Sequence, residues 1–191
     1  VAAGNSLGIG PIYYFGSEEQ KKKYLPKLCA GEGLWGFGLT EQMAGSDAGG
    51  SKTTAVKDGN EWVINGSKIF ITNASSDMSM GVTVQAITGT KANGKPEYTC
   101  FLVENGTRGF KATTMHKKMM WRASNTAELY FDDVRVPEGN ILGQVGDGFH
   151  QMLKTLDGGR LSIGAMGLGG AQGAYEMALK YARERRQFGQ P

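Results

Sequence analysis

The residues best suited to chemistry lie between Trp35 and Gly50, in the stretch WGFGLTEQMAGSDAGG. Apolar side chains alternate along its first half, as expected of an extended strand with one covered face. After Thr40 the alternation ends, and Glu41, Ser46 and Asp47 follow among glycines and alanines. Because glycine has no Cβ, such a loop can bring backbone N–H groups and hydroxyls close to an anionic ligand. A flexible turn between two strands is the alternative, since neither standard nucleotide-binding glycine motif is present.

Three further sets of residues could bind a ligand. Phe70 and Thr72 are two apart, so on a regular strand they share a face that could stack on a flat ring and donate a hydrogen bond to it. Asp157 and Arg160 are three apart and are neighbours on a helix, where they bind a ligand or form a surface ion pair. A basic cluster suits phosphate oxygens or is a solvated helix face; it comprises Lys180, Arg183, Arg185 and Arg186.

Composition excludes several classes of function. A net charge of +3 without a basic stripe argues against nucleic-acid binding. Cys29 and Cys100 are far apart and form no C-x-x-C, which fits a reducing compartment, and with only His116 and His150 a multi-histidine metal site is not expected. No apolar run approaches the ~20 residues that span a bilayer. The chain begins at Val1 with no signal peptide, which predicts an excised or processed chain.

Helical segments are predicted at both ends of the chain. Residues 1–33 are expected to be helical, with a capping box from Ser17 to Gln20 and a stop at the glycines that follow. Residues 144–191 return to a helical period with an apolar face for which the chain supplies no partner helices. This second segment therefore predicts the beginning of a helical bundle.

Residues 34–143 predict a β-domain between these helices. Asp58-Gly59 and Asn65-Gly66 are two strong hairpin signals. Short strands without intervening helical runs indicate a mainly antiparallel barrel or sandwich, and hence an α+β chain. Further strands are expected at 82–87, 98–103, 110–115, 126–131 and 134–136.

Five motifs, in order along nearly the whole chain, resemble segments of the acyl-CoA dehydrogenase family. They are GLTEQMAGSD, INGSKIFITNAS, FDDVRVPEGNILG, LDGGR and RERRQFG. Within the family the chain resembles the short-chain, butyryl-CoA dehydrogenase-like members. The resemblance implies the end of an N-terminal helical domain, the whole β-domain, and the start of a C-terminal bundle.

The resemblance also implies a reaction. Such enzymes use FAD to convert a short-chain acyl-CoA to the trans-2-enoyl-CoA in fatty acid β-oxidation, and pass the electrons to electron-transferring flavoprotein. Some relatives carry a catalytic Glu where this chain has Gly159, so the base is expected downstream of Pro191 and the isolated chain is expected to be inactive. The resemblance implies that the full-length protein is a homodimer or homotetramer. It also implies a location in the cytoplasm or in the mitochondrial matrix.

The family pattern assigns roles to individual residues. Those implied to bind FAD are Phe37, Leu39, Thr40, Phe70, Ile71, Thr72, Arg185, Gln187 and Phe188. Those implied to bind acyl-CoA are Ser46, Asp157 and Arg160. Asp47 is expected to cap the loop, because a carboxylate beside a phosphate is repulsive. Two alternatives stay open: a non-catalytic domain that binds flavin or a partner, and an acyl-CoA oxidase-like enzyme. Acyl chain length is not determined by the sequence.

Overall fold

The computed structural model describes residues 3–190 as an α+β protein. Residues 1, 2 and 191, which the sequence analysis placed in helical segments, lie outside the described residues. The helical elements are a π-helical segment Ala3–Ile9, α1 Gly10–Phe15, α2 Glu18–Cys29 and α3 Gly148–Glu184, with short 3₁₀ turns at Ala48–Gly50 and Glu138–Asn140. The strands are β1 Leu34–Gly38, β2 Thr54–Asp58, β3 Glu61–Thr72, β4 Ser79–Thr90, β5 Pro96–Glu104, β6 Phe110–Thr114, β7 Thr126–Pro137 and β8 Ile141–Leu142.

The capping box of α2 is confirmed. The Gln20 N–H donates to Ser17 Oγ at 3.2 Å, and the Ser17 N–H donates to Gln20 Oε1 at 3.0 Å. At the other end Gly31 adopts a φ of 75°, and the Glu32 N–H donates to the Lys27 carbonyl at 3.0 Å. This is the geometry of a glycine-terminated helix, so the sequence signals for the start and stop of α2 act as expected.

The eight strands form one mixed sheet in the order β6-β7-β3-β2-β4-β5-β8, with β1 parallel to β4. Most neighbours are antiparallel, as the sequence predicted; β2 also meets β4 in parallel at the single pair Thr54 and Ile87. The strand order is linear between β6 and β8, so the predicted barrel is not confirmed.

One predicted turn is wrong. The hairpin at Asp58-Gly59 is present, but β3 runs straight through Asn65-Gly66. There the register with β7 shifts, Gly66 has a φ of 145°, and a Cβ on Gly66 would lie 2.6 Å from Thr53 Oγ1. The Asn65 side chain exchanges two hydrogen bonds of 2.9 Å with Asp133, where β7 is also irregular. The dipeptide therefore makes a β-bulge. Residues on both sides of it pair with the long strand β7, whereas in a hairpin they would pair with each other. The predicted segments 126–131 and 134–136 accordingly form one strand, β7.

Two apolar cores lie on opposite faces of β4 and β5. On one face the ring of Trp62 in β3 packs on the ring of Phe101 in β5, with centroids 5.5 Å apart. Because β3 and β5 are not neighbours in the sheet, the sheet must curve around this core to bring the two rings together. On the other face Leu102 packs with Ile12 of α1 and Met152 of α3. The helices at both ends of the chain are thereby held against one surface of the sheet.

The long helix α3 leaves this surface after its first turns. Gly159 is the last buried residue of α3, and from there to residue 190 nearly every side chain is exposed, including Leu161, Leu168 and Met177. At ~1.5 Å per residue the 37-residue helix is ~55 Å long. The prediction of an apolar helix face without partners in this chain agrees with these exposures. Among residues 3–190 no helix has the length and apolarity needed to cross a membrane.

Candidate functional site

A cleft of about 500 Å³ lies between the end of β1, the loop that follows it, the end of β3 and α3. Eight of the residues assigned from sequence line it together: Phe37, Leu39, Thr40, Ser46, Phe70, Ile71, Thr72 and Arg160. The other lining residues are Leu7, Trp35, Gly45, Ala48, Leu153 and Leu156. Parts of the chain that are distant in sequence, namely Leu7 and residues 35–48, 70–72 and 153–160, thus meet at one concave surface.

Strand β1 brings one wall of the cleft close to β4. A Cβ on Gly38 would lie 3.0 Å from the Thr83 carbonyl, so glycine allows the backbones to approach. The chain then leaves the sheet, and the Thr40 carbonyl accepts a hydrogen bond from the Ile69 N–H at 2.9 Å. This bond ties the loop after β1 to β3 and leaves the partly exposed Thr40 side chain on the cleft.

The opposite wall depends on an irregularity that the sequence analysis did not predict. The register between β3 and β7 shifts between Lys68 and Ile71, and Phe70 has a φ of 62°. Phe70 is 59% exposed whereas Ile71 is 2% exposed. The inference that Phe70 and Thr72 share a face assumed a regular strand, and that assumption is wrong because a bulge interrupts β3 between Lys68 and Ile71. Consecutive residues 70–72 all reach the cleft, and left-handed backbone at a non-glycine residue is a strain typical of functional sites.

A buried ion pair lies beneath these two walls. Lys68 Nζ donates to Glu41 Oε1 at 2.8 Å and to the Leu39 carbonyl at 3.2 Å, and the Lys68 side chain is fully buried. Burial lowers the pKa of the Lys68 amine, and the Glu41 carboxylate partly offsets that fall. Burial also opposes ionisation of Glu41, but Lys68 and hydrogen bonds from Lys52 and Thr53 hold its pKa below the usual range.

The sequence analysis missed Lys68. The sequence does contain a signal for it: Lys68 lies an even number of residues after Trp62 and Ile64, so alternation along a strand predicts that it faces the core as they do. A lysine at a core-facing strand position needs a buried acid nearby, because an unpaired buried charge is very unfavourable. Glu41 is the acidic residue that meets this need.

The glycine-rich loop is fixed from the sheet side. Gln85 Nε2 donates to Ser51 Oγ at 3.0 Å, and Tyr98 Oη donates to the Gly49 carbonyl at 2.6 Å. The expectation that the Asp47 side chain caps the loop is wrong, because the backbone carbonyl of Asp47 accepts the Gly50 N–H instead. The end of the loop, at Gly49 and Ser51, is thus anchored to β4 and β5.

Four assigned residues do not line the cleft. Asp157 forms an exposed ion pair with Arg160, as the surface-pair alternative proposed, and only Arg160 of the two reaches the cleft. Arg185, Gln187 and Phe188 follow the end of α3 and are exposed, Phe188 completely. This chain therefore does not bring the C-terminal set to the same surface.

The lining of the cleft defines what it can do chemically. Phe70 offers a ring face for stacking, and the other apolar side chains offer van der Waals contacts. Hydroxyl groups come from Thr40, Ser46 and Thr72, and Arg160 supplies a positive charge. Among the described residues no carboxylate or imidazole lines it. The cleft can thus bind a flat ligand with polar edges, but in residues 3–190 it has no group suited to accept a proton. A second depression, about 650 Å³, lies in the loop region from Thr114 to Asn125 and is bordered by His116, Lys117, Lys118 and Arg122.

Models of known protein families match the chain in three parts, which agree with the division into helical, β and helical segments. The acyl-CoA dehydrogenase N-terminal domain matches residues 1–32, the middle domain matches residues 36–134, and the C-terminal domain matches residues 146–191. The probable acyl-CoA dehydrogenase YngJ of Bacillus subtilis is 52% identical over 190 residues, covering 100% of this chain and 50% of the relative. The chain thus spans about half the length of the curated relatives it matches.

Solved structures agree with the sequence matches. Butyryl-CoA dehydrogenase from Megasphaera elsdenii matches with a TM-score of 0.92 and 44% identity, over 100% of this chain and 49% of that chain. A chain in the structure of the electron transferring flavoprotein of Acidaminococcus fermentans matches with a TM-score of 0.92 and 45% identity, over 99% of this chain and 49% of that chain. Glutaryl-CoA dehydrogenase from Mycobacterium smegmatis, in complex with FADH2, matches with a TM-score of 0.91 and 38% identity, over 100% of this chain and 47% of that chain. These identities over essentially the whole chain confirm the resemblance seen in the motifs: the chain belongs to the acyl-CoA dehydrogenase family.

Proposed function

We propose that the protein containing this chain is an FAD-dependent oxidoreductase that converts short-chain acyl-CoA thioesters to trans-2-enoyl-CoA and passes the electrons to electron-transferring flavoprotein. The observation that carries the proposal is the cleft, because it gathers seven residues from three of the five family motifs, together with Phe37, at one surface. The similarity to butyryl-CoA dehydrogenase of Megasphaera elsdenii supports the short-chain substrate. The match to a chain in the Acidaminococcus fermentans structure supports the electron acceptor.

The residues of the cleft fit a flavin. Phe70, more than half exposed, offers a ring face, and the hydroxyls of Thr40 and Thr72 can donate to the polar edge of a bound ring system. When bound, FAD would supply the hydride acceptor. The share of this chain is to orient the flavin and the acyl chain and to keep water from between them. Ser46 and Arg160 lie where they can hold the acyl-CoA, and we include Asp157 as a residue that orients Arg160.

The remaining parts of the enzyme are also proposals. We place the catalytic Glu outside residues 1–191, because the cleft contains no base among the described residues. Residues 1–33, 34–143 and 144–191 would contribute to three domains. Arg185, Gln187 and Phe188 would bind FAD held by another subunit of a homodimer or homotetramer. The reducing environment implied by the two free thiols fits the cytoplasm or the mitochondrial matrix.

The visible spectrum of the complete protein tests this function. Purified protein should contain FAD, and butyryl-CoA added without oxygen should bleach the flavin absorbance. Electron-transferring flavoprotein should restore the absorbance rapidly, and oxygen only slowly. Rapid recovery with oxygen alone would identify an oxidase. Flavin that butyryl-CoA does not bleach would favour a flavin-binding protein without catalysis, and absence of flavin would contradict the proposal.

Phe70→Ala is expected to weaken FAD binding by about 1 kcal/mol, or roughly fivefold, through loss of the stacking contact. The measurement is a fluorescence titration of FAD into the apoprotein. The exposed Tyr130→Ala is a suitable control, because Tyr130 lies outside the cleft. Equal FAD affinity for wild type and Phe70→Ala would show that Phe70 is only a strand residue.

Arg185→Lys is expected to reduce FAD retention without changing net charge, because lysine cannot form the forked contact with phosphate oxygens. Each charge-assisted hydrogen bond lost is worth ~1.5–3 kcal/mol. Since Arg185 does not line the cleft of its own chain, we expect it to act across a subunit interface. Mixing full-length Arg185→Lys with a Thr40→Val/Thr72→Val variant should restore one intact site per heterodimer. Verified heterodimers that recover no FAD binding would contradict action in trans.

A further inference from the structure

The buried pair Lys68–Glu41 touches both walls of the cleft without lining it. Lys68 Nζ binds the Leu39 carbonyl and Glu41 Oε1, which lie on either side of Thr40 along the chain. The residue after Lys68, Ile69, donates its N–H to the Thr40 carbonyl at 2.9 Å. Three hydrogen bonds from two adjacent residues of β3 therefore hold residues 39–41.

The same lysine marks the start of the bulge in β3. The register with β7 shifts between Lys68 and Ile71, and the strained Phe70 lies within that interval. The bulge carries the lining residues 70–72, so one anchor point serves both walls. Glu41 in turn accepts hydrogen bonds from the Lys52 N–H at 2.6 Å and from Thr53 Oγ1 at 2.7 Å, which fixes the end of the glycine-rich loop.

We propose that Lys68 and Glu41 are positioning residues that set the separation of Thr40 from residues 70–72 and thereby shape the site for the flavin ring. The flavin part of this proposal rests on the proposed function; the effect on the backbone does not. A polar group carried on a strand end and a short loop needs a rigid support to hold it to within a fraction of an ångström. A buried, multiply hydrogen-bonded ion pair is such a support. A purely apolar contact would not fix the direction of the Leu39 carbonyl, which Lys68 Nζ binds.

The test uses the complete protein and the double variant Lys68→Met/Glu41→Gln. This change removes both charges together, so neither is left buried and unpaired, and replacing a whole buried pair is often neutral for folding. Amide hydrogen exchange of residues 39–41 and 69–72 is measured without flavin, and FAD affinity, the flavin absorption spectrum and its midpoint potential are measured with it. Exchange should be faster and FAD affinity lower, each by at least about tenfold, with a shifted spectrum and potential.

Gln20→Met is the matched control. Gln20 is also a buried polar anchor, since its Nε2 donates to the Gly139 and Ile141 carbonyls, but it lies away from the cleft. It should leave exchange at residues 39–41 and the flavin spectrum unchanged.

If the double variant does not fold, the same measurements are made on Glu41→Asp. This variant keeps the negative charge but moves the carboxylate away from Lys68. Wild-type exchange, spectrum and potential in the folded variant would overturn the proposal. If the wild-type protein binds no FAD, the proposed function fails, and exchange alone decides for or against the positioning role.

Discussion

The 191-residue chain, purified by itself, is expected to show no acyl-CoA dehydrogenase turnover. Removal of the α-proton needs a general base within hydrogen-bond reach of the substrate, and loss of such a group costs on the order of 10²–10⁴-fold in rate. The cleft has hydroxyls and Arg160, but no carboxylate or imidazole among residues 3–190 lines it. The buried thiol of Cys100 is not a substitute, because burial raises its pKa to about 12.

The assay is reduction of an artificial electron acceptor with butyryl-CoA and added FAD. Circular dichroism of the same sample shows whether the chain is folded, and a complete short-chain acyl-CoA dehydrogenase serves as the positive control. Butyryl-CoA-dependent turnover by the folded chain would mean that a group in these 191 residues acts as the base. The placement of the base elsewhere would then be wrong.

Glu41→Gln is expected to destabilise the protein by about 3–5 kcal/mol near pH 7, the usual cost of leaving one member of a buried ion pair without its partner. Without the carboxylate, burial lowers the pKa of Lys68 further below 10.5 in the folded variant. Between that lowered pKa and 10.5 the unfolded chain binds more protons than the folded one, so the stability of the variant rises with pH. The destabilisation should therefore be smaller near pH 10 than near pH 7. Urea unfolding at both pH values measures it.

The wild-type protein should lose stability at acid pH for the complementary reason. The pKa of Glu41 is lowered in the folded state, so its contribution is present above the unfolded value of 4.5 and is lost as pH falls through the folded value. Glu138→Gln is the matched control, because Glu138 forms an exposed pair with Lys57 at 2.9 Å, and such pairs are worth about 0–1 kcal/mol. Similar small losses for Glu41→Gln and Glu138→Gln, with no pH dependence, would contradict the account of a buried charged pair.

The sequence predicted the elements more accurately than their irregularities. The capping box at Ser17 and the hairpin at Asp58 are local signals, and each acts within a few residues of itself. Asn65-Gly66 carries an equally strong local signal, but long-range pairing of β3 with β7 overrides it and converts a turn into a bulge. Local propensity could not show this, since the deciding partner is Asp133, 68 residues away.

The candidate site shows the same limit. Motif resemblance assigned Thr40, Phe70 and Arg160, and the structure brings their side chains to one cleft. The i, i+2 argument for Phe70 and Thr72 assumed a regular strand and did not anticipate the bulge. Lys68 was overlooked because a charged residue on a strand is usually exposed, whereas here Glu41 compensates its charge from 27 residues away. Contacts between distant segments thus decide the parts that sequence patterns could not.

Amide hydrogen exchange of the complete apoprotein with and without FAD tests the central claim most directly, because it locates the flavin without any substitution. On FAD binding we expect slower exchange in residues 37–40, 45–48 and 69–72, which border the cleft. Exchange around the larger basic depression at residues 114–125 should stay unchanged. Protection confined to residues 114–125, or FAD binding with no protection at the cleft, would contradict the assignment of the cleft as the flavin site.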